Sequence, residues 1–409
     1  MSASAPKKHF ALVLLAFIAF IALGMPDGLL GVGWPSIRAS FGVPLDSLGM
    51  LMIAGMCGYL ASSSSSGYWI SRLGLGGLLA ISCGLTGLGL IGYTLVPVWW
   101  MMVALGVAAG LGAGAIDAGL NTYVAANFGE RLMQWLHASY GIGVTLGPII
   151  MTVALSTVNS WQLGYRVVGG FQLLLAATFT LTLPMWKSQS STAAAEQNAP
   201  KLTDYKTSYR ETLSQPAVWL NILLFFIYVG VEVSLGAWAY TLLTESRGID
   251  PQAAGFWTGS YWATFTIGRF LAGLFTRRIG TTRLVKGSML LALAGSALLW
   301  WNPISIISLL AVGLIGFAIA PIFPGMTSGT SQRVGPRYAA NTIGLQMAGS
   351  SLGGSLISSL LGILARRISL EIIPLGLFVL FAALFILYTL ADRMAAARQA
   401  PAAAHPADA

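Results

Sequence analysis

The chain has 409 residues, of which 56% are hydrophobic and only 9% are charged, with a formal net charge of +9. Soluble domains carry roughly 25% charged residues, so this balance excludes an ordinary soluble enzyme and indicates a chain solvated mainly by lipid. Two cysteines and three histidines supply neither a disulfide framework nor a metal cluster.

Apolar runs near the roughly 20 residues that a bilayer requires predict twelve membrane helices. They lie at about 10–34, 46–66, 76–95, 98–127, 132–157, 165–186, 216–243, 252–276, 284–301, 304–328, 338–363 and 370–392. An even number puts both ends on one face. The first run holds Asp27 and is followed directly by further spans, so it reads as a permanent helix and not a cleaved signal peptide. Cys57 and Cys83, in runs two and three, are expected to be small packing residues. The five serines from Ser62 to Ser66 are expected to bond back to earlier carbonyls and to allow close packing.

After the second run stands Gly67-Tyr-Trp-Ile-Ser-Arg72-Leu-Gly74, and after the eighth Gly273-Leu-Phe-Thr-Arg-Arg278-Ile-Gly280, the same pattern shifted by 206 positions. Asp27-x3-Gly31 in run one answers to Glu232-x3-Gly236 in run seven, a shift of 205, with Trp34 and Trp238 close behind. Two matches at nearly one offset indicate an internal repeat. The expected division is a six-helix bundle over 1–186, a polar cytoplasmic linker over 187–215, a second six-helix bundle over 216–394 and a disordered Ala/Pro-rich tail over 395–409. With the N-terminus inside, sixteen Lys and Arg face the cytoplasm and five face out, as the positive-inside rule requires. The net charge then reflects topology and is no sign of nucleic-acid binding. An integral, multi-pass protein of a bacterial-type inner membrane, acting as a monomer, is expected.

Three carboxylates interrupt the apolar runs. A charge at the bilayer centre costs about 2.5 kcal/mol or more, so such residues line polar cavities with a task. At 1.5 Å per residue, Asp27 and Glu232 lie roughly 25 Å and Asp117 roughly 15 Å from the cytoplasmic ends of their helices, so the three straddle the midplane. Asp117 and Asn121 are four apart and share one helix face. His137, near the inner end of the fifth helix, is either a proton partner for Asp117 or a packing histidine. Arg269, close to the inner end of the eighth, is read as a partner at an inner gate. Trp34, Trp238, Tyr261 and Trp262 are candidate aromatic faces for a sugar ring, with Gln346 as a hydroxyl-reading amide. The Gly-rich stretch from Gly110 to Gly119 lacks a preceding strand and a Gly-Lys-Ser/Thr ending, so ATP-driven transport is unsupported. No nucleophile and base pair suggests an enzyme, and no cofactor is expected.

Twelve helices in two halves with these paired loops resemble the major facilitator superfamily. Its loop signature carries an Asp before the Arg and a basic residue after the second Gly, where this chain has Ser71 and Leu75. That departure weakens the N-terminal side of a cytoplasmic gate otherwise assigned to Arg72, Arg269, Arg277 and Arg278. Three segments are similar to the fucose:proton symporter branch, which includes sodium-dependent glucose carriers: Gly24-Met-Pro-Asp27-Gly-Leu-Leu-Gly-Val-Gly-Trp34-Pro35, Gly112-Ala-Gly114-Ala-Ile-Asp117-Ala-Gly119-Leu-Asn121-Thr and Tyr228-Val-Gly230-Val-Glu232. The resemblance implies sugar recognition and proton coupling divided between Asp27 and Asp117, while Glu232 is an extra acid. The expected function is cation-coupled import of glucose, galactose or a fucose-like sugar. Asp117 carries the proton or sodium, which could also sit near Glu232, and His137 tunes it. Two other readings stay open: a proton-driven exporter of amphiphiles, and a non-transporting sensor on this fold.

Overall fold

In the computed structural model, which describes residues 5–128, 130–187 and 207–399, every regular element is helical. The long helices are α1 (Ala5–Phe41), α2 (Leu48–Tyr93), α3 (Trp99–Asn127), α4 (Glu130–Val158), α5 (Trp161–Leu181), α8 (Pro216–Thr241), α9 (Pro251–Ile279), α10 (Thr281–Trp301), α11 (Ser305–Ile319), α14 (Pro336–Arg367) and α15 (Ile372–Gln399). Short helices α6 (Leu183–Lys187), α7 (Tyr209–Leu213), α12 (Ile322–Ser328) and α13 (Thr330–Val334) fill in between. Among the described residues nine helices are long and apolar enough to cross a membrane. Neither α5 nor α9 is in that set, and α2 is counted once although it covers predicted runs two and three.

Two helical arms of α2 meet at Gly74. At φ 69° and ψ 165° it breaks the helical path, a conformation open in practice only to glycine. The Gly67 to Gly74 pattern therefore ends at the turn between the two arms. Its repeat partner Gly280, at φ 82° and ψ 149°, turns the chain the same way between α9 and α10. The repeat read from sequence is thus repeated in backbone geometry.

Two boundaries shift. Most of the predicted linker, 188–206, lies outside the described residues, but its end forms α7, capped where Ser208 Oγ accepts from the Glu211 N–H. Helix α15 continues to Gln399, so residues 395–399 are helical; the rest of the predicted tail is outside the described residues.

Packing repeats as well. Helix α1 lies against α4, and α2 against α3 and α5; in the second half α8 lies against α14, α9 against α11, and α10 against α15. Across the halves α1 meets α8, α2 meets α14, and α4 meets α9. The α1–α8 crossing falls at the repeated glycines: a Cβ on Gly31 would run into the Gly236 carbonyl oxygen. Without side chains there the backbones touch. Asp27 and Glu232 each lie four residues, one turn, before that contact, on the two sides of one crossing point.

Candidate functional site

Pro26 prepares the ground for Asp27. Proline inside a helix leaves the carbonyl four residues earlier without its donor, here Ala22, and the buried Gln172 of α5 donates Nε2 to it at 2.9 Å. The helix therefore survives its weakest point. Asp27 follows directly and is exposed although its neighbours on both sides, Met25 and Leu29, are buried. Asp27 is thus an accessible carboxylate in the middle of a 37-residue apolar helix, a place where contact with lipid would be costly. Tyr140 of α4 donates its hydroxyl to Asp27 Oδ2 at 2.7 Å.

Asp117 on α3 is held at both oxygens. Tyr59 of α2 donates its hydroxyl to Oδ2, and Asn121 donates Nδ2 to Oδ1 at 2.8 Å and to the Asp117 carbonyl at 3.0 Å. The predicted Asp117–Asn121 face is therefore real, and its amide serves the carboxylate. Asp117 and Asp27 lie within electrostatic reach of each other. Charge-assisted hydrogen bonds of this kind fix a carboxylate while leaving lone pairs for a ligand.

Glu232 on α8 is the third acid. Its backbone carbonyl accepts from the Tyr261 hydroxyl at 2.8 Å. Its side chain is in hydrogen-bond contact with Tyr228, whose hydroxyl also donates to the Ile319 carbonyl at 3.0 Å. Arg269 acts electrostatically on Glu232, on His137 and on Tyr140. The described hydrogen bonds thus form two local groups, Asn121, Asp117 and Tyr59 in one and Asp27 with Tyr140 in the other, while Glu232 lies across the α1–α8 crossing from Asp27.

Several expected site residues are elsewhere. Trp34 and Trp238 are fully buried. Trp34 donates Nε1 to the Leu45 carbonyl at 3.0 Å, and Trp238 donates Nε1 to the Ser358 carbonyl at 3.0 Å, so in this conformation both rings are packed inside the protein. Gln346 is also fully buried and donates to Thr330 Oγ1 at 3.1 Å. Tyr261 is buried and acts through the Glu232 backbone, and Trp262 is pressed against Gly236. His137 is exposed, edge-on to Phe20 at 5.8 Å, and its charged neighbour is Arg269. Among the described contacts none joins it to Asp117. Arg269 has its Cζ 4.2 Å from the Phe265 ring centre. Arg72 is exposed, 5.3 Å from the Tyr68 ring; Arg278 is exposed, and the Arg277 side chain lies outside the described ones.

Tyr59, Tyr140 and Tyr228 enter the site without having been singled out. Tyr228 had a signal, since it precedes Glu232 by four on the same helix face. Tyr59 and Tyr140 are lone tyrosines in apolar helices and had none.

The Major Facilitator Superfamily profile matches residues 12–358 and, separately, 220–408. The sodium-dependent glucose transporter 1 of Homo sapiens is 25% identical over 85% of this chain and 72% of its own length. A glucose/mannose transporter of Bacillus subtilis (strain 168) is 21% identical over 91% of this chain and 92% of its own. Among solved structures, a bacterial homologue of the human lysosomal transporter Spinster superposes with a TM-score of 0.76 at 14% identity, covering 96% of this chain and 98% of that one. The chain belongs to the major facilitator superfamily of membrane transporters and is not an enzyme.

Proposed function

We propose that this protein imports a monosaccharide of the glucose, galactose or fucose type by symport with a cation, the proton preferred over sodium, through alternating access. The observation that carries this reading is a set of three carboxylates on the apolar helices α1, α3 and α8, two held by tyrosine hydroxyls of neighbouring helices and two one turn before the α1–α8 crossing. Relatives described as glucose transporters support the substrate class. In this reading the nine apolar helices, with the second arm of α2, α5 and α9 added, make twelve crossings in two six-helix bundles with both ends cytoplasmic. Transporters built from such repeats hold substrate near the midplane at the repeat interface.

Asp117 is the principal coupling carboxylate. Tyr59 and Asn121 hold it in place, and a bound proton or sodium cancels its charge before the cavity closes. Asp27 and Asn121 meet substrate hydroxyls, and Glu232 contributes from the second half. At the opposite ends of the same helices the halves are locked: Arg38 pairs with Glu245 at 2.5 Å, and Arg366 with Asp46 at 3.0 Å. The end where α1 and α8 finish is therefore closed, and in this topology it is the outer one. Asp27 is then open to the cytoplasm.

The test is uptake of labelled glucose, galactose and fucose into proteoliposomes under an imposed pH gradient or an imposed Na⁺ gradient, with Asp117→Asn alongside. Accumulation driven by one gradient, abolished in the variant, is the expected result. An absence of sugar uptake under both gradients would overturn the symporter reading; accumulation that survives in Asp117→Asn would remove Asp117 from the coupling role.

A further inference from the structure

On α8 and α9 three buried side-chain atoms have no hydrogen-bond partner: Glu232 Oε2, Arg269 Nε and Trp262 Nε1. The two helices run antiparallel, and contacts along them place these residues in one patch. Trp262 packs on Gly236, one turn past Glu232, and Tyr261 reaches the Glu232 carbonyl. Counting back along both helices brings Arg269 level with Tyr228, one turn from Glu232. Across the halves, Thr266 packs on Gly141 and Phe270 stacks on Trp135 at 5.4 Å. Arg269 is therefore level with His137 and Tyr140 of α4.

Buried polar atoms in native proteins are almost always satisfied, and an exception calls for a cause. Both charges here are anchored by groups that leave their working atoms free. The Arg269 guanidinium is steadied over the Phe265 ring at 4.2 Å, a contact through charge and face that uses none of its five N–H donors. Glu232 is fixed at its backbone by Tyr261, and its one described side-chain hydrogen bond is with Tyr228. The two charges feel each other, yet no ion pair joining them is among the described ones.

We propose that Arg269 and Glu232 form a donor and acceptor pair that reads two neighbouring hydroxyls of the sugar from the second half, which makes Arg269 a substrate-specificity residue and not a gate. This rests on the sugar-transport reading above. Arg269 donates to one substrate oxygen, and Glu232 accepts the proton of the adjacent hydroxyl. Their opposite charges cancel, so the pair suits a neutral vicinal diol better than an anionic or cationic sugar. The competing account is that the two charges only hold α8 against α9.

Counterflow of labelled glucose in proteoliposomes, competed with monodeoxy and monofluoro glucoses at each ring position, separates these accounts. A deoxy carbon neither donates nor accepts, whereas a fluorine cannot donate. In the wild type, replacing the hydroxyl read by either charge is expected to weaken competition on the order of 10- to 100-fold, the range for a hydrogen bond to a charged group. In Arg269→Gln the discrimination collapses at one position, in Glu232→Gln at its neighbour, and Arg269→Lys retains part of it. If both glutamine variants keep the wild-type discrimination profile at every position, or lose affinity equally for all analogues, the pair is structural and the inference fails. If the wild type exchanges no sugar at all, the symporter reading fails first. Arg269→Lys, which keeps the charge, covers the case in which Arg269→Gln does not fold.

Discussion

Opening the outer lock gives a number that can be measured. Two ion pairs close the end where α1 and α8 finish, and both join the halves. Arg38 and Glu245 lie at 2.5 Å with side chains 28% and 30% exposed; Arg366 and Asp46 lie at 3.0 Å with 54% and 21%. Exposed pairs contribute about 0.2–1 kcal/mol each, so screening places Arg366 at the low end and the shorter, better covered Arg38 pair near the top. In the topology proposed above, they together favour the inward-open state by about 1 kcal/mol, or about fivefold in the ratio of states. Apparent external affinity scales with the fraction of protein that is outward-open. Arg38→Ala combined with Arg366→Ala is therefore expected to lower the external half-saturation constant for sugar up to about fivefold in right-side-out vesicles at low ionic strength. The gap should narrow in high salt, where the Debye length falls to roughly 3 Å at 1 M. Exchanging the charges as Arg38→Glu with Glu245→Arg should restore the parent value. An external constant that does not move in the double variant at low salt would refute the claim that these pairs set the balance.

Other consequences reach different parts of the molecule. Trp238→Phe removes the donor to the Ser358 carbonyl and should cost about 1–3 kcal/mol, lowering the thermal midpoint while the order of sugar preference stays unchanged; an altered preference would return Trp238 to the site. Gly74→Ala and Gly280→Ala each force a side chain into a glycine-only conformation at about 1–3 kcal/mol, visible as a lower midpoint, whereas Gly67→Ala, with open space around it, should be nearly neutral. Outside the membrane-spanning segments, partial burial pushes the Glu371 carboxyl up, but hydrogen bonds from Arg247 and Ser246 and the Arg247 charge outweigh it and hold it below its ordinary value. A depressed folded value means stability that is present above the unfolded value of about 4.3 and is lost as pH falls through the folded one. Thermal melts should therefore show an acid limb below about pH 4 that is shallower in Glu371→Gln; an identical limb in the variant would exclude this pair as its source.

What the sequence disclosed was governed by local spacing. The pairing of Asp27-x3-Gly31 with Glu232-x3-Gly236 needed only an offset, and the structure puts both glycines at one crossing. The Gly74 and Gly280 turns were legible as a pattern, but the sign of φ, which divides α2 into two arms, was not. Trp34 and Trp238 share the helices of the acids, and the structure buries both rings. Their direction depends on carbonyls of Leu45 and Ser358, the second 120 residues away, which no periodicity encodes. Tyr59 and Tyr140 were invisible for the same reason, since a tyrosine in an apolar helix acquires meaning only from the carboxylate that another helix brings to it. For His137 the described neighbours are Phe20 and Arg269, since rise per residue gives a position along a helix and not the side chains beside it.

Duplication also explains why the two halves do not do the same work. Equal sequence offsets put Asp27 and Glu232 one turn before a shared contact, so any ligand at the crossing meets both. Their surroundings then diverge. Asp27 is exposed and receives a neutral donor, Tyr140, across α4; Glu232 is partly buried beside a guanidinium on α9. A carboxylate with a neutral partner can gain or lose its charge without leaving another charge stranded, whereas neutralising one member of a buried pair leaves its counter-ion uncompensated. In the symport reading proposed above, cycling of a coupling ion is therefore assigned to the N-terminal acids, Asp27 and Asp117, and constant charge to the second half. Symmetry supplies the position of the acids, and the partner on the adjacent helix decides which of them can be loaded.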